Sequence, residues 1–496
     1  MRLRQLLQGA APLGASADLD MEISGISYDT RTLRPGELFV ALEGHDDDGH
    51  RHLGEALARG AAAVLCRREP DVPLPWVRVE DTRAALAAVS ANWFGHPAQR
   101  LTVVGVTGTN GKTTTTYLLK AVLEGAGARV GLIGTNQVLI GARSLPALRT
   151  TPESWELQRL FCQMACAGCT HVVMEVSSHA LALHRTDGIP FAVGVFTNLT
   201  EDHLDFHGTM EAYREAKGRL FNQCAAAVLN LDDGAGRWYA SRVKCPKVTY
   251  SERRDEADLT ARNLRLFPDH IQFEAVTWGK LCRVSLPIPG GFTLYNALAT
   301  LGCGLALGLE LEEMAASLAR ARGVKGRLEV VPVPAEFTVL IDYAHTPDAL
   351  EKVLTAVKDF TPGRVICLFG CGGDREREKR PKMGAIAAAL ADYVVVTSDN
   401  PRTEDPMAIL RDILAGMGGS DTPRQVIPHR KAAIAAALSL ARPGDTVLLA
   451  GKGHETEQEV GRERLPLDER EEVSAWFRAQ SRAALSEIPG PGGELL

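Results

Sequence analysis

The sequence predicts an α/β protein of three domains: a small N-terminal α/β domain, a central parallel-sheet P-loop domain and a C-terminal Rossmann-like domain. Three observations predict it. A chain of 496 residues is too long for one ordinary core. The stretch "HPAQRLTVVGVTGTNGKTTTTYLLKAVLEGAGARVGLIG" reads as strand, Gly-rich loop, helix and strand, the opening of a parallel sheet. A second alternation of strands and helices starts at "FTVLIDYAHTPDALEKVLTAVKDF". The domains are placed at 1–99, 100–328 and 329–496.

In chain order, "ISYDTRTLRPGELFVALEG" supplies short strands and turns, residues 53–60 a helix and "AAAVLC" a strand. The start, "MRLRQLLQGAAPLGASADLD", has the basic and small apolar residues of an export signal. Gln8, Gly9 and Pro12 break its apolar stretch, so a cytoplasmic location is expected. Further strands are predicted at 101–106, 170–176, 364–369, 391–396 and 446–449, with a helix at 210–220. The tail "SEIPGPGGELL" is Pro/Gly-rich and is expected to fray.

Hydrophobic residues at 45% and charged residues at 23% describe a soluble globular protein, and no apolar run reaches the length of a membrane span. A net charge of -6 excludes nucleic-acid binding that relies on a general positive field. Ten scattered cysteines suit reduced thiols. Cys162, Cys166 and Cys169 have iron–sulfur spacing, but i, i+4 and i+7 share one face of a predicted helix, so buried small side chains are expected there, not a cluster.

In "GVTGTNGKTT", Gly108, Thr109, Asn110, Gly111, Lys112, Thr113 and Thr114 stand between strand and helix, where a phosphate loop belongs. Glycines let backbone N–H groups approach phosphate oxygens, Lys112 reaches the outer phosphates and Thr113 can ligate Mg2+. The glycine spacing departs from the common pattern, which would put a glycine at Val106. Taken singly, Glu175 is a strand-end carboxylate, His203 a structural histidine and Lys217 a helix-surface lysine. In "SDNPRTEDP", Asp399, Asn400, Pro401 and Arg402 follow an apolar strand, where α/β sheets hold ligands. A carboxylate, an amide and a guanidinium there suit a small zwitterion.

"TGTNGKTT", "MEVSSHAL", "FTNLTEDHLDFHGTMEAYREAKGRLF", "DYAHTPDALE", "FGCGGDRE" with "KRPKMG", "SDNPRTEDP" and "AGKGHE" occur in an order that resembles the Mur ligase family, over almost the whole chain. The resemblance makes the central domain a P-loop ATPase. It implies an ATP-dependent ligase that adds meso-diaminopimelate to the D-Glu side-chain carboxylate of UDP-N-acetylmuramoyl-L-alanyl-D-glutamate through an acyl phosphate. It implies catalytic roles for Lys112, Glu175, His203 and Lys217, with one Mg2+ on Thr113 and Glu175, a second held partly by His203, and a carbamylated Lys217 that helps hold metal. Asn296, Arg327, Asp342 and His345 join the loop in binding ATP, His345 meeting a phosphate or capping the helix after Pro347. Thr30, Thr150, Thr151, Ser177 and Arg185 match contacts to the uridine diphosphate-muramoyl substrate. Arg375, Asp399, Asn400, Pro401, Arg402, Gly451 and Glu455 match contacts to diaminopimelate, Arg402 reading its distal carboxylate, which lysine lacks. A monomer acting without membrane or nucleic acid is expected. Thr30 replaces a frequent Ser, Arg149 a frequent Asn and Leu183 a frequent Gln; Glu457 replaces a frequent Tyr and is assigned no role. The rivals are a lysine-adding or folylpolyglutamate-type ligase and an inactive nucleotide-binding scaffold. The first-domain "DTRTLRPGELFVAL" and the "DNPR" loop speak against the folylpolyglutamate type, and retention of Glu175, His203 and Lys217 against the scaffold.

Overall fold

The computed structural model describes residues 1–44, 47–141 and 143–486; residues 487–496 of the Pro/Gly-rich tail lie outside the described residues. Two compact units emerge from the contacts: residues 1–260, 276–280 and 296–317 in one, residues 261–275, 281–295 and 318 onward in the other.

The first unit begins with a five-stranded sheet in the order Gly14–Ala15, Trp76–Arg78, Ala63–Cys66, Leu38–Val40, Ile26–Ser27, parallel except for its first pair. Successive side chains point to opposite faces. Leu38, Val40, Ala63 and Leu65 therefore pack with the helices Leu3–Leu6 and Thr82–Trp93, while Phe39, Val64 and Cys66 pack with Leu53–Ala58. Leu3, Leu6, Leu7, Ala10 and Ala17 of the signal-like start thus lie in a core, Leu3 and Leu6 fully buried, while Leu13 and Leu19 are exposed.

The central sheet of this unit runs Lys247–Ser251, Cys224–Asn230, Phe191–Phe196, Thr102–Thr107, His171–Glu175, Val130–Ile133, Gln137–Ile140, Arg143–Pro146. Pairings are parallel as far as Val130–Ile133 and antiparallel beyond it. Thr102–Thr107 is central, which explains its unbroken Val/Gly run: a strand covered on both faces has no polar side to show. The helix expected at 210–220 is α-helical over Met210–Gly218 and tightens to a 3-10 turn at Arg219–Asn222.

The three spaced cysteines do not share a helix face. Helix Ser154–Cys166 stops because Gly168 takes φ 78°, its N–H bonding to Ala165 O and that of Cys169 to Met164 O. Cys166 is exposed and Cys169 buried beyond the helix end. All ten cysteines are free thiols, and no group of three or more His, Cys, Asp or Glu side chains among the described residues forms a ready metal cage.

The second unit holds a six-stranded sheet in the order Glu329–Val331, Thr338–Asp342, Thr446–Ala450, Val365–Phe369, Tyr393–Val396, Arg424–Val426, antiparallel only at its first pair. Leu340, Cys367, Val394 and Leu448 face helices Pro347–Phe360, Lys379–Leu390 and Pro406–Ala415; Val339, Ile366, Val395 and Val447 face Arg430–Leu440 and the start of the last helix. Residues 391–392, expected in a strand, instead close helix Lys379–Leu390, with Ala391 as its cap. The carboxyl ends of four parallel strands, at Asp342, Phe369, Val396 and Ala450, lie along one edge, where such sheets bind ligands.

Candidate active site

In the first unit the phosphate loop joins Thr102–Thr107 to helix Lys112–Gly125. Two of its positions must be glycine. Gly108 has φ 149° and a β-carbon there would lie 1.9 Å from Thr197 Oγ1; Gly111 has φ 84° and a β-carbon would lie 2.4 Å from Asn296 Oδ1. Asn296, expected among the ATP-binding residues, thus backs the loop, and Thr115 Oγ1 donates to it over 3.4 Å. The segment after Phe191–Phe196 braces the other side: Thr109 N–H donates to Asn198 O (2.8 Å), Asn110 N–H to Asn198 Oδ1 (3.0 Å), and Thr197 Oγ1 to Asn110 O (2.6 Å). Lys112 Nζ lies on the loop's own carbonyls, 3.0 Å from Gly108 O and 2.8 Å from Thr109 O. Thr113 and Thr114 are buried in the first helical turn.

Glu175 ends the strand beside the loop, 1% exposed. Its two oxygens accept from Thr135 N–H (2.8 Å) and Thr135 Oγ1 (3.0 Å). Lys217, also 1% exposed, donates to Gly108 O over 2.9 Å and stands 4.4 Å from the Tyr213 ring centre. Burial, then the charge of Lys112, hold its ammonium well below the ordinary lysine range, against the opposing pull of Asp202. A buried amine that readily loses its proton is nucleophilic. Tyr213 connects it onward, its hydroxyl 3.2 Å from Thr109 Oγ1 and its ring 5.0 Å from that of His207. His203, half exposed with φ 53°, packs edge-on to His179 at 4.8 Å. His207 bonds Ser178 Oγ over 2.9 Å, and burial, with His179 and Lys217 nearby, lowers its pKa to about 4.

The acceptor-substrate candidates converge on the same strand end. Thr150 Oγ1 meets Thr135 Oγ1 at 3.0 Å; Thr151 Oγ1 donates to Glu175 O (2.9 Å) and accepts from Ser177 N–H (3.0 Å). Arg185 donates to Thr151 O over 3.1 Å and reaches Glu153 at 2.8 Å. Glu153, 5% exposed, is the hub, because Arg83 (3.4 Å) and Arg149 (2.8 Å) pair with it too. Arg149 thereby adds a cation beside Thr150 and Thr151. Leu183 caps helix Ser178–Ala182, its N–H donating to His179 O over 2.8 Å, and its side chain is apolar. Thr30 stands apart: it sits in a turn capped by Asp29, and its hydroxyl donates to Glu55 over 2.8 Å.

In the second unit Asp342 accepts from Leu328 N–H (2.7 Å) and Ala344 N–H (2.8 Å); burial raises its pKa against these bonds and against Arg327. The Arg327 guanidinium lies 5.1 Å from the Tyr343 ring centre. His345 does not cap the following helix. Thr346 does, through its hydroxyl, and His345 Nδ1 lies 2.7 Å from Tyr343 O.

The loop that carries Asp399, Asn400, Pro401 and Arg402 is tied down on all sides. Asn400 Nδ2 donates to Glu455 Oε2 (2.9 Å); fully buried Lys452 donates to Asn400 Oδ1 (3.0 Å) and Glu455 Oε2 (2.8 Å). Burial raises the Glu455 pKa, yet Lys452 and Asn400 outweigh it and hold the carboxyl below its usual range. Arg402 has φ 50° and points Nε at Glu459 Oε2 (2.9 Å) and Nη1 at Gly373 O (2.8 Å). Gly372 lies beside both Arg402 and the exposed Arg375. A side chain at Gly451 would stand 2.9 Å from Asp399 Oδ2. Underneath, fully buried Arg430 donates to Ser398 O (3.2 Å) and Ala450 O (2.9 Å) while pairing with Glu469 at 2.7 Å. Thr135, Glu153, Asn198, Lys452, Glu459 and Arg430 escape sequence reading, since each acts through another residue distant in the chain.

Three family profiles match in tandem: "Mur ligase family, catalytic domain" over residues 22–94, "Mur ligase middle domain" over 106–304 and "Mur ligase, glutamate ligase domain" over 326–453. The chain is 44% identical over 478 residues to the UDP-N-acetylmuramoyl-L-alanyl-D-glutamate–2,6-diaminopimelate ligase of Caldanaerobacter subterraneus subsp. tengcongensis, covering 95% of this chain and 98% of that one. It is 42% identical over 483 residues to the ligase 1 of that name in Clostridium acetobutylicum, covering 96% and 99%. A solved structure of a ligase of this name superposes with a TM-score of 0.72 at 33% identity, over 96% of this chain and 99% of that one.

Proposed function

Because this chain belongs to the Mur ligase family, with full-length relatives of one named activity, we propose that it joins meso-2,6-diaminopimelate to the D-Glu side-chain carboxylate of UDP-N-acetylmuramoyl-L-alanyl-D-glutamate, using ATP. It is a ligase of peptidoglycan precursor synthesis. The observation that carries the choice of amino acid is the tethered loop at 399–402, which offers a fixed guanidinium beside two carboxylates.

An amide from a carboxylate and an amine is uphill in water, so the carboxylate is first activated. A D-Glu oxygen attacks the γ-phosphorus, ADP leaves, and the acyl phosphate forms; the amine then attacks the carbonyl carbon, loses a proton and expels phosphate. Both steps gather negative charge. The N–H groups at the start of helix Lys112–Gly125 donate to phosphate oxygens, the N–H groups of Thr109 and Asn110 being held by Asn198, and Lys112 Nζ exchanges its two loop carbonyls for the outer phosphates. Thr113, Glu175, His203 and Lys217 would hold Mg2+: the hydroxyl, the buried carboxylate and a Lys217 carbamate are oxygen donors of the kind that ion takes, His203 would add one nitrogen, and water and phosphate oxygens would take the other positions. Mg2+, when bound there, offsets phosphate charge. The deprotonated Lys217 amine adds to carbon dioxide, forming an N–C bond and releasing one proton, and the resulting carbamate replaces a cation with an anion. Thr30, Thr150, Thr151, Ser177 and Arg185 bind the acceptor nucleotide. At the second strand edge Arg402 takes the distal carboxylate, Asp399 and Glu455 the ammonium, and Arg375 the other carboxylate. The domains divide near residues 99 and 328. Ten free thiols and two nucleotide substrates suit the cytoplasm, with one chain as the working unit.

The test is phosphate release from ATP with the acceptor nucleotide and each of meso-diaminopimelate, lysine and glycine. Release that depends on diaminopimelate is expected; release independent of the amino acid, or equal with lysine, overturns the reading.

A further inference from the structure

We infer that Glu459 is a positioning residue for amino-acid selection: it aims the Arg402 guanidinium, and so sets how sharply diaminopimelate is preferred over lysine. The inference rests on the reading that Arg402 receives the distal carboxylate.

Glu459 lies on strand Glu457–Val460 of the hairpin it makes with Glu463–Pro466. Three separate bonds set it on the loop. Its N–H donates to Asn400 Oδ1 (3.0 Å), its carbonyl accepts from Arg402 N–H (3.1 Å), and its carboxylate accepts from Arg402 Nε (2.9 Å). Gly461 N–H returns a bond to Arg402 O over 2.7 Å. The backbone of residue 402 and the Nε edge of its side chain are therefore both fixed from one strand.

A guanidinium is a flat fork with five N–H donors. Glu459 engages Nε and Gly373 O engages Nη1, which fixes the plane of the fork and leaves the Nη1–Nη2 end to grip a carboxylate with two parallel bonds. Without Glu459 the long side chain regains rotamers that must be frozen again on binding. Glu459 is itself partly exposed, 34% of its side chain, with Arg464 at 3.5 Å, so its charge is screened and its effect on Arg402 is one of direction more than of neutralisation.

Glu459→Gln keeps a carbonyl oxygen for Nε while removing the charge; Glu459→Leu removes both. Steady-state kinetics with meso-diaminopimelate and with lysine, each protein checked for an unchanged melting temperature, separate the possibilities. Positioning predicts that Glu459→Gln stays within about twofold of the parent, while Glu459→Leu raises KM for diaminopimelate about 3–10-fold with kcat unchanged and kcat/KM for lysine unmoved. Added to Arg402→Ala, Glu459→Leu should then do nothing further. If both variants instead lower KM for diaminopimelate, Glu459 is a competing anion and the inference is wrong. It is equally wrong if lysine turnover falls as far as diaminopimelate turnover, which would be a general loosening of the hairpin. Arg402→Ala alone tells the two readings apart: an unchanged amino-acid preference there removes the role of Arg402, whereas a narrowed preference with an inert Glu459→Leu removes only the role of Glu459.

Discussion

Replacing Arg402 by alanine removes two native contacts, the ion pair with Glu459 and the bond to Gly373 O. The ion pair is partly exposed, and Arg464 remains within 3.5 Å of Glu459, so its loss costs roughly 1 kcal/mol or less. The unmet carbonyl adds about 1 kcal/mol. Bound diaminopimelate suffers more, because its distal carboxylate would be desolvated with no partner, a loss of about 2–5 kcal/mol. At 1.36 kcal/mol per tenfold, kcat/KM for meso-diaminopimelate should fall about 30-fold or more, while the fold stays intact and the KM for ATP barely moves. Lysine carries no distal carboxylate, so its turnover should change little. The preference narrows without a good lysine enzyme appearing, since no new contact is made. Phosphate-release kinetics of both proteins with both amino acids measure this. A mutant that keeps the parental ratio of kcat/KM between them would show that Arg402 does not read the distal carboxylate.

Lys217→Ala should lower activity about 100-fold or more by removing the carbamate, and added acetate should restore part of it; near-parental turnover in bicarbonate-free buffer would exclude a catalytic carbamate. Glu156, which accepts the Tyr28 hydroxyl over 2.6 Å, has its carboxyl pKa raised by burial. The folded chain therefore holds this proton more tightly than the unfolded one, and the stability tied to it is lost as pH climbs above the ordinary glutamate range. Urea midpoints should accordingly show Glu156→Gln gaining on the parent between about pH 4 and pH 7; a constant difference across that interval would contradict the assignment.

The sequence made the phosphate loop legible because every element of it is local. A strand, two obligatory glycines, Lys112 and Thr113 occupy one short run, and the backbone conformation of Gly108 and Gly111 is what the chemistry of that run requires. Strand and helix positions were legible within a few residues for the same reason. What was hidden depends on pairings between distant segments. Glu153 looks like any helix-start carboxylate beside a nearby Arg149 until Arg83 and Arg185 arrive from distant segments. Spacing alone misled at Cys169, since the helix pattern continues on paper while Gly168 turns the backbone away. It also left His345 undecided between meeting a phosphate and capping the helix after Pro347; Thr346, with a hydroxyl at N-cap reach, takes the cap.

The buried Arg430 fixes where two strands stop. By holding Ser398 O and Ala450 O with one planar group, it sets the separation of the two points from which residues 399–402 and 451–455 depart. Beyond those points the chain departs in short segments tied to one another by Lys452 and Glu459, and behind them the sheet is the frame. Glu469, which neutralises Arg430 from the start of the last helix, makes that helix part of the frame. Taking it away would leave a guanidinium in the dry interior, and the spacing of the two loops would be the first thing lost.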